Sequence, residues 1–482
     1  MTSFRELRAQ RLQAETGTLR KQADLAVGLV YPSPYHVAMS SLGFQTIYRE
    51  LHALPGVTAE RAFLPDDVRQ ARRDREGLCT YESGRPVGDF SILAFSLASE
   101  LEIAGLVDCL DLAGIPALAS ERAQRPSHHP LVIVGGPLTF SNPVPAGPFA
   151  DVIVMGEAEG LMGVLMERVH GQHERAALLA ELAQLPGVYV PALHGETPAE
   201  RAMASPDRLP ATSQIITPNT ELADMFLIEV ARGCSRSCSY CVMRRSPGRG
   251  MRLVPAERIL SLIPPEARRV GLVGAAVTDH PDLHRILRTL VDSGREVSVS
   301  SLRADRLDDE LVGLLAAAGY RTLTTAADGA SQRMRDQVDR HTGTEHLLRA
   351  ARLCREHRMA QLKLYVLLGL PGETQADVDE LAELTLELAG LAPRLSLTVS
   401  PFVSKRNTPL DRHPFEDVDS LESKLARLRG RVKGRAHIGG EPPKWAWVEY
   451  RLAQGGFAEG LAASVAARAG GSFGAWKRAL GE

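Results

Sequence analysis

Short apolar runs alternate with amphipathic stretches along most of the chain. The first run, DLAVGLVYP (Asp24 to Pro32), is apolar at nearly every position, the pattern of a strand buried on both faces. In MSSLGFQTIYRELHAL, Leu42, Ile47, Leu51 and Leu54 then recur along one helical face. FSILAFSL (Phe90 to Leu97), PLVIVGGPLTF and ADVIVMGEAEG read as further strands, and ELEIAGLVDCLDLAGI reads as a helix. Elements alternating at these lengths predict a parallel, Rossmann-like sheet covered on both faces over residues 22–165. Ligands of such sheets lie beyond the carboxyl ends of the strands, which here read YPSPY, FSLAS, VGGPLTF and MGEAEG. Residues 1–21 are Arg-rich, carry Glu6 and Glu15 and lack an apolar secretory core, so they read as a solvated helical tail.

Residues 166–220 form a connector that ends in a polar Pro/Thr/Ser-rich stretch. From 221 the alternation resumes with MFLIEVARG, RVGLVGAAV, EVSVSSLRAD, RTLTTAADG, LKLYVLLGLPG and LSLTVSPFV, separated by helical patterns. Six strand–helix units over 221–415 predict a partial, open-sided (β/α)6 barrel with its function at the carboxyl ends of the strands. Residues 416–482 read as a helical C-terminal region. The expected fold class is therefore α/β: a Rossmann-like domain, a partial barrel and a helical extension.

Composition narrows the function classes. The 482 residues carry 56 basic and 58 acidic groups, a net charge of −2, which argues against a general nucleic-acid binder. Trp445 and Trp447 offer rings for stacking on bases, but their spacing on a helical stretch reads as packing. No run approaches the roughly 18 apolar residues of a membrane span. Six cysteines spread over so long a chain do not make a secreted disulfide framework, so a reducing, cytoplasmic compartment is expected. Cys79, Cys109 and Cys354 stand alone and read as small hydrophobic residues.

The other three cysteines lie within EVARGCSRSCSYCVMRR, directly after the first barrel strand. Cys234, Cys238 and Cys241 have the spacing C-x3-C-x2-C. A disulfide would leave one thiol over, and structural zinc normally takes four ligands from two paired clusters. A cuboidal iron–sulfur cluster also takes four thiolates; with three supplied, one iron keeps an open coordination position. Arg232, Arg236, Arg244 and Arg245 stand beside the loop as candidates to balance a cluster's negative charge.

This segment resembles the radical S-adenosylmethionine (SAM) superfamily, whose motif is C-x3-C-x-aromatic-C; Tyr240 fills the aromatic slot. The resemblance implies a [4Fe-4S] cluster on Cys234, Cys238 and Cys241. It further implies SAM chelated at the open iron and cleaved reductively to a 5′-deoxyadenosyl radical, with electrons from a donor such as flavodoxin or ferredoxin. The segments GLVGAAVTDHP, VSVSSLRADRL, TAADGASQRMRD, LKLYVLLGLPGET and SPFVSKRNTPL are similar to those of the cobalamin-domain branch of the superfamily. By that likeness Gly274, Ala275 and Ala276 contact the methionine moiety. Ser301, Arg303 and Asp328 supply polar groups to SAM, and Lys363, Tyr365, Gly369 and Leu370 line the adenine side. One segment departs from the branch: where the fourth strand usually ends Ala-Pro-Glu-Ala-Gly-Ser, this chain reads Ala326-Ala327-Asp328-Gly329-Ala330-Ser331. QVDRHTG also replaces the more usual Asn-Lys pair.

The amino-terminal segments are similar to the cobalamin-binding domain fused to many of these enzymes. The likeness implies Ser96, Leu97, Gly135, Gly136 and Pro137 around the nucleotide tail, with the loop from Tyr35 to Met39 facing the corrin. The Asp-x-His-x-x-Gly signature of other cobalamin proteins is absent from the sequence, and His36 reads as structural. Three functions follow as alternatives. They are cobalamin-dependent radical methylation or related radical chemistry on an unidentified substrate, a radical SAM enzyme whose first domain no longer binds cobalamin, and a non-catalytic iron–sulfur or RNA-binding module. Methylthiolation of tRNA is disfavoured, because those enzymes carry a three-cysteine amino-terminal domain and only Cys79 and Cys109 occur here.

Overall fold

A computed structural model describes residues 4–171, 174–245 and 250–481. The chain divides into two compact units, Met1–Asp224 together with Arg451–Glu482, and Met225–Tyr450. The first unit thus takes in both the predicted connector and the last part of the predicted helical region.

The first unit is built on a six-stranded sheet: β1 (Leu25–Tyr31), β2 (Val57–Phe63), β3 (Ile92–Ser96), β4 (Leu131–Gly135), β5 (Val152–Val154) and β6 (Val188–Tyr189), in spatial order β2-β1-β3-β4-β5-β6. Every pairing is parallel except β5 with β6. The chain crosses from one side of β1 to the other, so the switch point lies between β1 and β3, where doubly wound folds bind ligands. β1 is buried from Val27 to Tyr31, which explains its unbroken apolar run. The helix Leu42–Ala53, capped by the Ser41 hydroxyl, covers it with Phe44, Tyr48 and Leu51. Arg61 of β2 is fully buried; its guanidinium meets Glu82 at 2.6 Å and Glu15 at 2.7 Å. A buried cation needs such partners, because an unpaired charge in this core would be strongly destabilising.

Residues of the carboxyl-terminal segment complete this unit. The helix Phe457–Arg468 packs on the helix Glu102–Leu112 and on the turn Val144–Phe149. The Asn142 amide donates to the carbonyls of Ala453 (3.0 Å) and Gly455 (2.8 Å), and Arg468 pairs with Asp111 at 2.9 Å.

The second unit contains β7 (Met225–Glu229), β8 (Ala231–Gly233), β9 (Met251–Leu253), β10 (Arg269–Val273), β11 (Glu296–Val299), β12 (Thr322–Ala326), β13 (Gln361–Leu368), β14 (Leu395–Pro401) and β15 (His437–Gly439). β7, β10 and β11 form one parallel sheet, and β12 to β15 form another. A parallel bridge between Leu302 and Thr325 joins them, giving the order β7-β10-β11-β12-β13-β14-β15 of an open barrel. The short β15 extends the six predicted strands by one. On β13, Leu362, Leu364, Val366 and Leu368 are buried, whereas Lys363 and Tyr365 alternate with them on the more open face. Among the described residues, no helix is long and apolar enough to cross a membrane.

Candidate functional site

β7 leads through β8 into the cysteine loop, and the antiparallel pair β8–β9 closes the loop at its base. Gly233, one residue before Cys234, has φ +84°, and a Cβ there would stand 2.2 Å from the Gly250 carbonyl oxygen. Only glycine lets the two backbones approach so closely at the point where the loop leaves the sheet.

Three carboxylates fasten this loop to the ends of neighbouring strands. Ser235 hydrogen-bonds Asp279, which follows β10, and Arg236 reaches Asp305, which follows β11, at 2.8 Å. Arg303 joins both carboxylates: its Nη1 lies 2.5 Å from Asp279 and its Nε donates to Asp305 at 3.1 Å. The third is Asp328, after β12, which accepts the Tyr240 hydroxyl at 2.8 Å and lies 3.0 Å from Arg340 Nε. The Ser239 amide donates to the Val338 carbonyl at 3.1 Å. Tyr240 packs against an apolar cluster of Met334, Val338, Leu370 and Phe402. Its phenol pKa is pushed upward, first by burial and then by the Asp328 carboxylate. Burial alone would lower the Arg340 pKa, but Asp328, then Tyr240 and the Cys238 sulfur, hold it above its ordinary value.

Thus the structure gathers Tyr240, Asp328, Leu370 and the cysteines into one neighbourhood. Ser301 instead braces the turn after β10: its hydroxyl donates to the Gly274 carbonyl at 3.0 Å and accepts the Val277 amide at 3.2 Å. Ser300 grips Gly274 in the same way, so this turn is held before any ligand arrives. Ala275 is exposed beside it. Gly369 has φ +87°, and its amide donates to Glu373 at 2.9 Å. Lys363 lies 4.8 Å from the Tyr365 ring centroid, and Tyr365 is 39% exposed on the barrel wall. Arg303 is committed to two carboxylates, which makes it a clamp on the cysteine loop in this structure. Arg232 is likewise held by Glu229, at 2.7 Å. The side chains of Arg244 and Arg245 lie outside the described residues. Asp279, Asp305 and Arg340 were not singled out from the sequence. The pairing signal was present only for Asp305, two residues from Arg303.

In the first unit, Ser96, Leu97, Gly135, Gly136 and Pro137 do converge at the carboxyl edge of the sheet. The Leu97 amide donates to the Gly135 carbonyl at 2.8 Å, and the Leu97 carbonyl accepts the Leu138 amide at 3.0 Å. Gly136 has φ +103°, and a Cβ on it would stand 2.6 Å from the Leu97 oxygen. Ser96 is half-buried and Pro137 exposed. Tyr35 and Met39 turn inward. Tyr35 is fully buried, stacks on Tyr81 and donates to Glu15 at 2.7 Å, while the Met39 sulfur lies 3.3 Å from Arg61. The buried Arg61 network draws both side chains into the core, and the exposed residues of this turn are His36 and Val37.

Two sequence families match the chain. Residues 43–191 match radical SAM proteins, N-terminal, and residues 228–385, which hold the cysteine loop, match the radical SAM superfamily. The chain belongs to the radical SAM superfamily. An uncharacterised protein of Methanocaldococcus jannaschii is 27% identical over 296 residues, 59% of this chain and 62% of that one. The ribosomal protein uS12 methylthiotransferase RimO of Desulfosudis oleivorans is 28% identical over 178 residues, 32% of this chain and 39% of that one. The cobalamin-dependent SAM radical enzyme OxsB, solved with aqua-cobalamin and SAM bound, shares the fold at a TM-score of 0.53 and 14% identity. That match covers 85% of this chain and 56% of OxsB. The chain spans about three fifths of the length of the archaeal relative and less of the others.

Radical SAM family membership implies a [4Fe-4S] cluster and SAM, and the loop fits that cluster. Burial chiefly, and the neighbouring thiols in part, raise the Cys234 and Cys241 pKa values, so the three sulfurs share one electrostatic neighbourhood. Among the described residues, however, no three His, Cys, Asp or Glu side chains focus on a single ion. By their chemistry three thiolates fit a cluster, which takes each sulfur on a different iron and leaves the fourth iron open, whereas structural zinc normally takes four protein ligands. The Ser239 hydroxyl is 93% buried by residue and has no hydrogen-bond partner in the protein (7% exposed), leaving a donor for a cluster sulfur beside Cys238.

Proposed function

We propose that this radical SAM enzyme cleaves SAM reductively and uses the resulting radical on a small or macromolecular substrate that remains to be identified. The reading rests on the C-x3-C-x2-C loop, fastened by Asp279, Asp305 and Asp328 to the ends of three successive barrel strands. When bound, the cluster supplies one electron to SAM, releasing methionine and a 5′-deoxyadenosyl radical. Cys234, Cys238 and Cys241 hold it. The turn Gly274 to Ala276, stiffened by Ser300 and Ser301, offers backbone to the methionine end of SAM. Gly369 and Leu370 flank the nucleoside, and Lys363 and Tyr365 of the open face of β13 orient what lies deeper in the barrel. A flavodoxin- or ferredoxin-like protein delivers the electron, in a reducing cytoplasm that keeps the six free cysteines reduced.

The test is anaerobic reconstitution with iron and sulfide. About four irons and four sulfides per chain are expected, and the reduced protein should release 5′-deoxyadenosine from SAM. Replacing any one of the three cysteines by alanine should abolish that release. One zinc without inorganic sulfide, or release that survives each substitution, overturns the reading.

A cobalamin-dependent methylation is the more specific form of this function. It is favoured by the 2-1-3-4-5 strand order of the first unit and by the fold shared with OxsB. Ser96, Gly135 and Pro137 stand on the carboxyl edge where the nucleotide tail would lie, and bound cobalamin would supply a transferable methyl group. The experiment is reconstitution with hydroxocobalamin followed by corrin analysis. One corrin per chain, with S-adenosylhomocysteine formed beside 5′-deoxyadenosine, supports methyl transfer. 5′-Deoxyadenosine alone, without bound corrin, leaves a radical enzyme of another reaction type.

A further inference from the structure

Among the described residues, Arg340 is a cation that the folded chain brings to the cysteine loop, from just beyond a helix end roughly a hundred residues downstream. Three contacts fix it. Its backbone amide bonds the Arg335 carbonyl at 2.9 Å, its Nη2 donates to the Ala326 carbonyl at 3.2 Å, and its Nε lies 3.0 Å from Asp328. The Nε contact is an ion pair without hydrogen-bond alignment. Both neighbours, Asp339 and His341, occupy the left-handed region at φ +53° and +54°. Two such residues flanking a third are costly, and strained backbone of this kind gathers where a side chain must be aimed. The Arg340 side chain is 12% exposed. Val338, two residues before it, accepts the Ser239 amide at 3.1 Å, and its partner Asp328 accepts the Tyr240 hydroxyl at 2.8 Å, so the guanidinium is anchored beside the turn from Cys238 to Cys241. The arginines nearest in sequence, Arg232 and Arg236, are turned to Glu229 and Asp305.

We propose that Arg340 is the positive charge that sets the reduction equilibrium of the iron–sulfur cluster, and that Asp328 attenuates it as its counter-ion. The inference rests on the cluster proposed above. Reduction adds one electron to a group already ligated by three anionic sulfurs, of which Cys238 is buried and Cys234 and Cys241 are half-buried. Net charge and hydrogen bonding at the sulfurs are the protein's main means of setting such potentials, and a fixed cation in low dielectric favours the more negative, reduced state. The Asp328 carboxylate is held on Arg340 and Tyr240.

The two members of the pair should therefore act in opposite directions. The full-length chain, reconstituted anaerobically, is titrated with dithionite and mediators in the absence of SAM. The reduced cluster is followed by electron paramagnetic resonance, with iron and sulfide measured in each sample. Arg340→Gln should disfavour reduction at least tenfold, about 59 mV for a one-electron couple. Asp328→Asn should shift the equilibrium the other way, and Arg340→Lys should fall between wild type and Arg340→Gln. Unchanged potentials at full cluster content, or shifts of the same sign in Arg340→Gln and Asp328→Asn, overturn the proposal. Should Arg340→Gln fail to assemble a cluster, Asp328→Asn and Arg340→Lys decide by the same signs. Wild-type protein that assembles no cluster overturns both this inference and the function on which it rests.

Discussion

Replacing Arg303 by glutamine tests whether the carboxylate clamp holds the cysteine loop. The Arg303 side chain is 7% exposed, and its partners Asp279 and Asp305 are 6% and 14% exposed. Removing one partner of a buried ion pair costs about 3–5 kcal/mol, because the remaining charge stays buried. Here the loss is moderated. Asp305 keeps Arg236 at 2.8 Å, and Asp279 keeps Ser235 and a looser contact with Arg306 at 3.5 Å. We therefore expect the second unit to lose about 2–4 kcal/mol. At its size that is roughly 5–15 °C in melting temperature. Trp445 and Trp447 belong to this unit and Trp476 to the other, so tryptophan fluorescence followed beside far-UV circular dichroism resolves the transition to be read. Iron content after reconstitution should fall in parallel, since Ser235 and Arg236 lie between Cys234 and Cys238. The double variant Arg303→Gln with Asp279→Asn should recover part of the loss by removing the unpaired charge. A melting temperature within about 1 °C of wild type, with full cluster content in Arg303→Gln, would refute the clamp.

Other expectations follow from the same reasoning. Gly136→Ala should destabilise the first unit by at least about 2 kcal/mol, measured by urea unfolding, because alanine meets both a left-handed φ and the Leu97 carbonyl. Burial works to raise the Asp377 pKa, but hydrogen bonds from Ser331, Thr374 and Arg333 prevail and bring it down to about 2 from 3.8. The folded state thus binds the proton more weakly than the unfolded one. The stabilisation, about 2 kcal/mol, is complete above the unfolded value and disappears as pH falls through 4 towards 2. Asp377→Asn should remove that part of the acid dependence of unfolding. Tyr240→Phe should retain the cluster, since the ring still packs on Met334 and Phe402, while costing about 1 kcal/mol through the lost hydrogen bond to Asp328.

The barrel was legible because its strands obey simple patterns: β13 alternates buried leucines and valine with Lys363 and Tyr365, and the cysteine spacing needs no partner to be read. β2 was not legible. Glu60 and Arg61 interrupt its apolar pattern, and Arg61 is tolerable inside only because Glu15 and Glu82 arrive from 46 and 21 residues away. The same limit hid the clamp. Asp279, Asp305 and Arg340 are ordinary surface residues in sequence, and acquire meaning only when β10, β11 and β12 bring their ends beside one loop. Tyr35 and Met39 were legible as neighbours of the first strand but not in their direction, which the buried Arg61 network decides. The final helices were recognisable by periodicity, yet nothing in their pattern told which unit they would cover.

That last placement bears on how the polypeptide is made. A ribosome delivers the six-stranded sheet first and the barrel second, yet the carbonyls that accept from Asn142, and the arginine that pairs most closely with Asp111, emerge only with residues 453–468. The earliest-born half must wait, incompletely covered, while the later-born half can mature ahead of it. Nascent chains stalled before residue 451 should therefore expose protease-sensitive sites in the sheet unit while the cysteine-bearing barrel is already resistant.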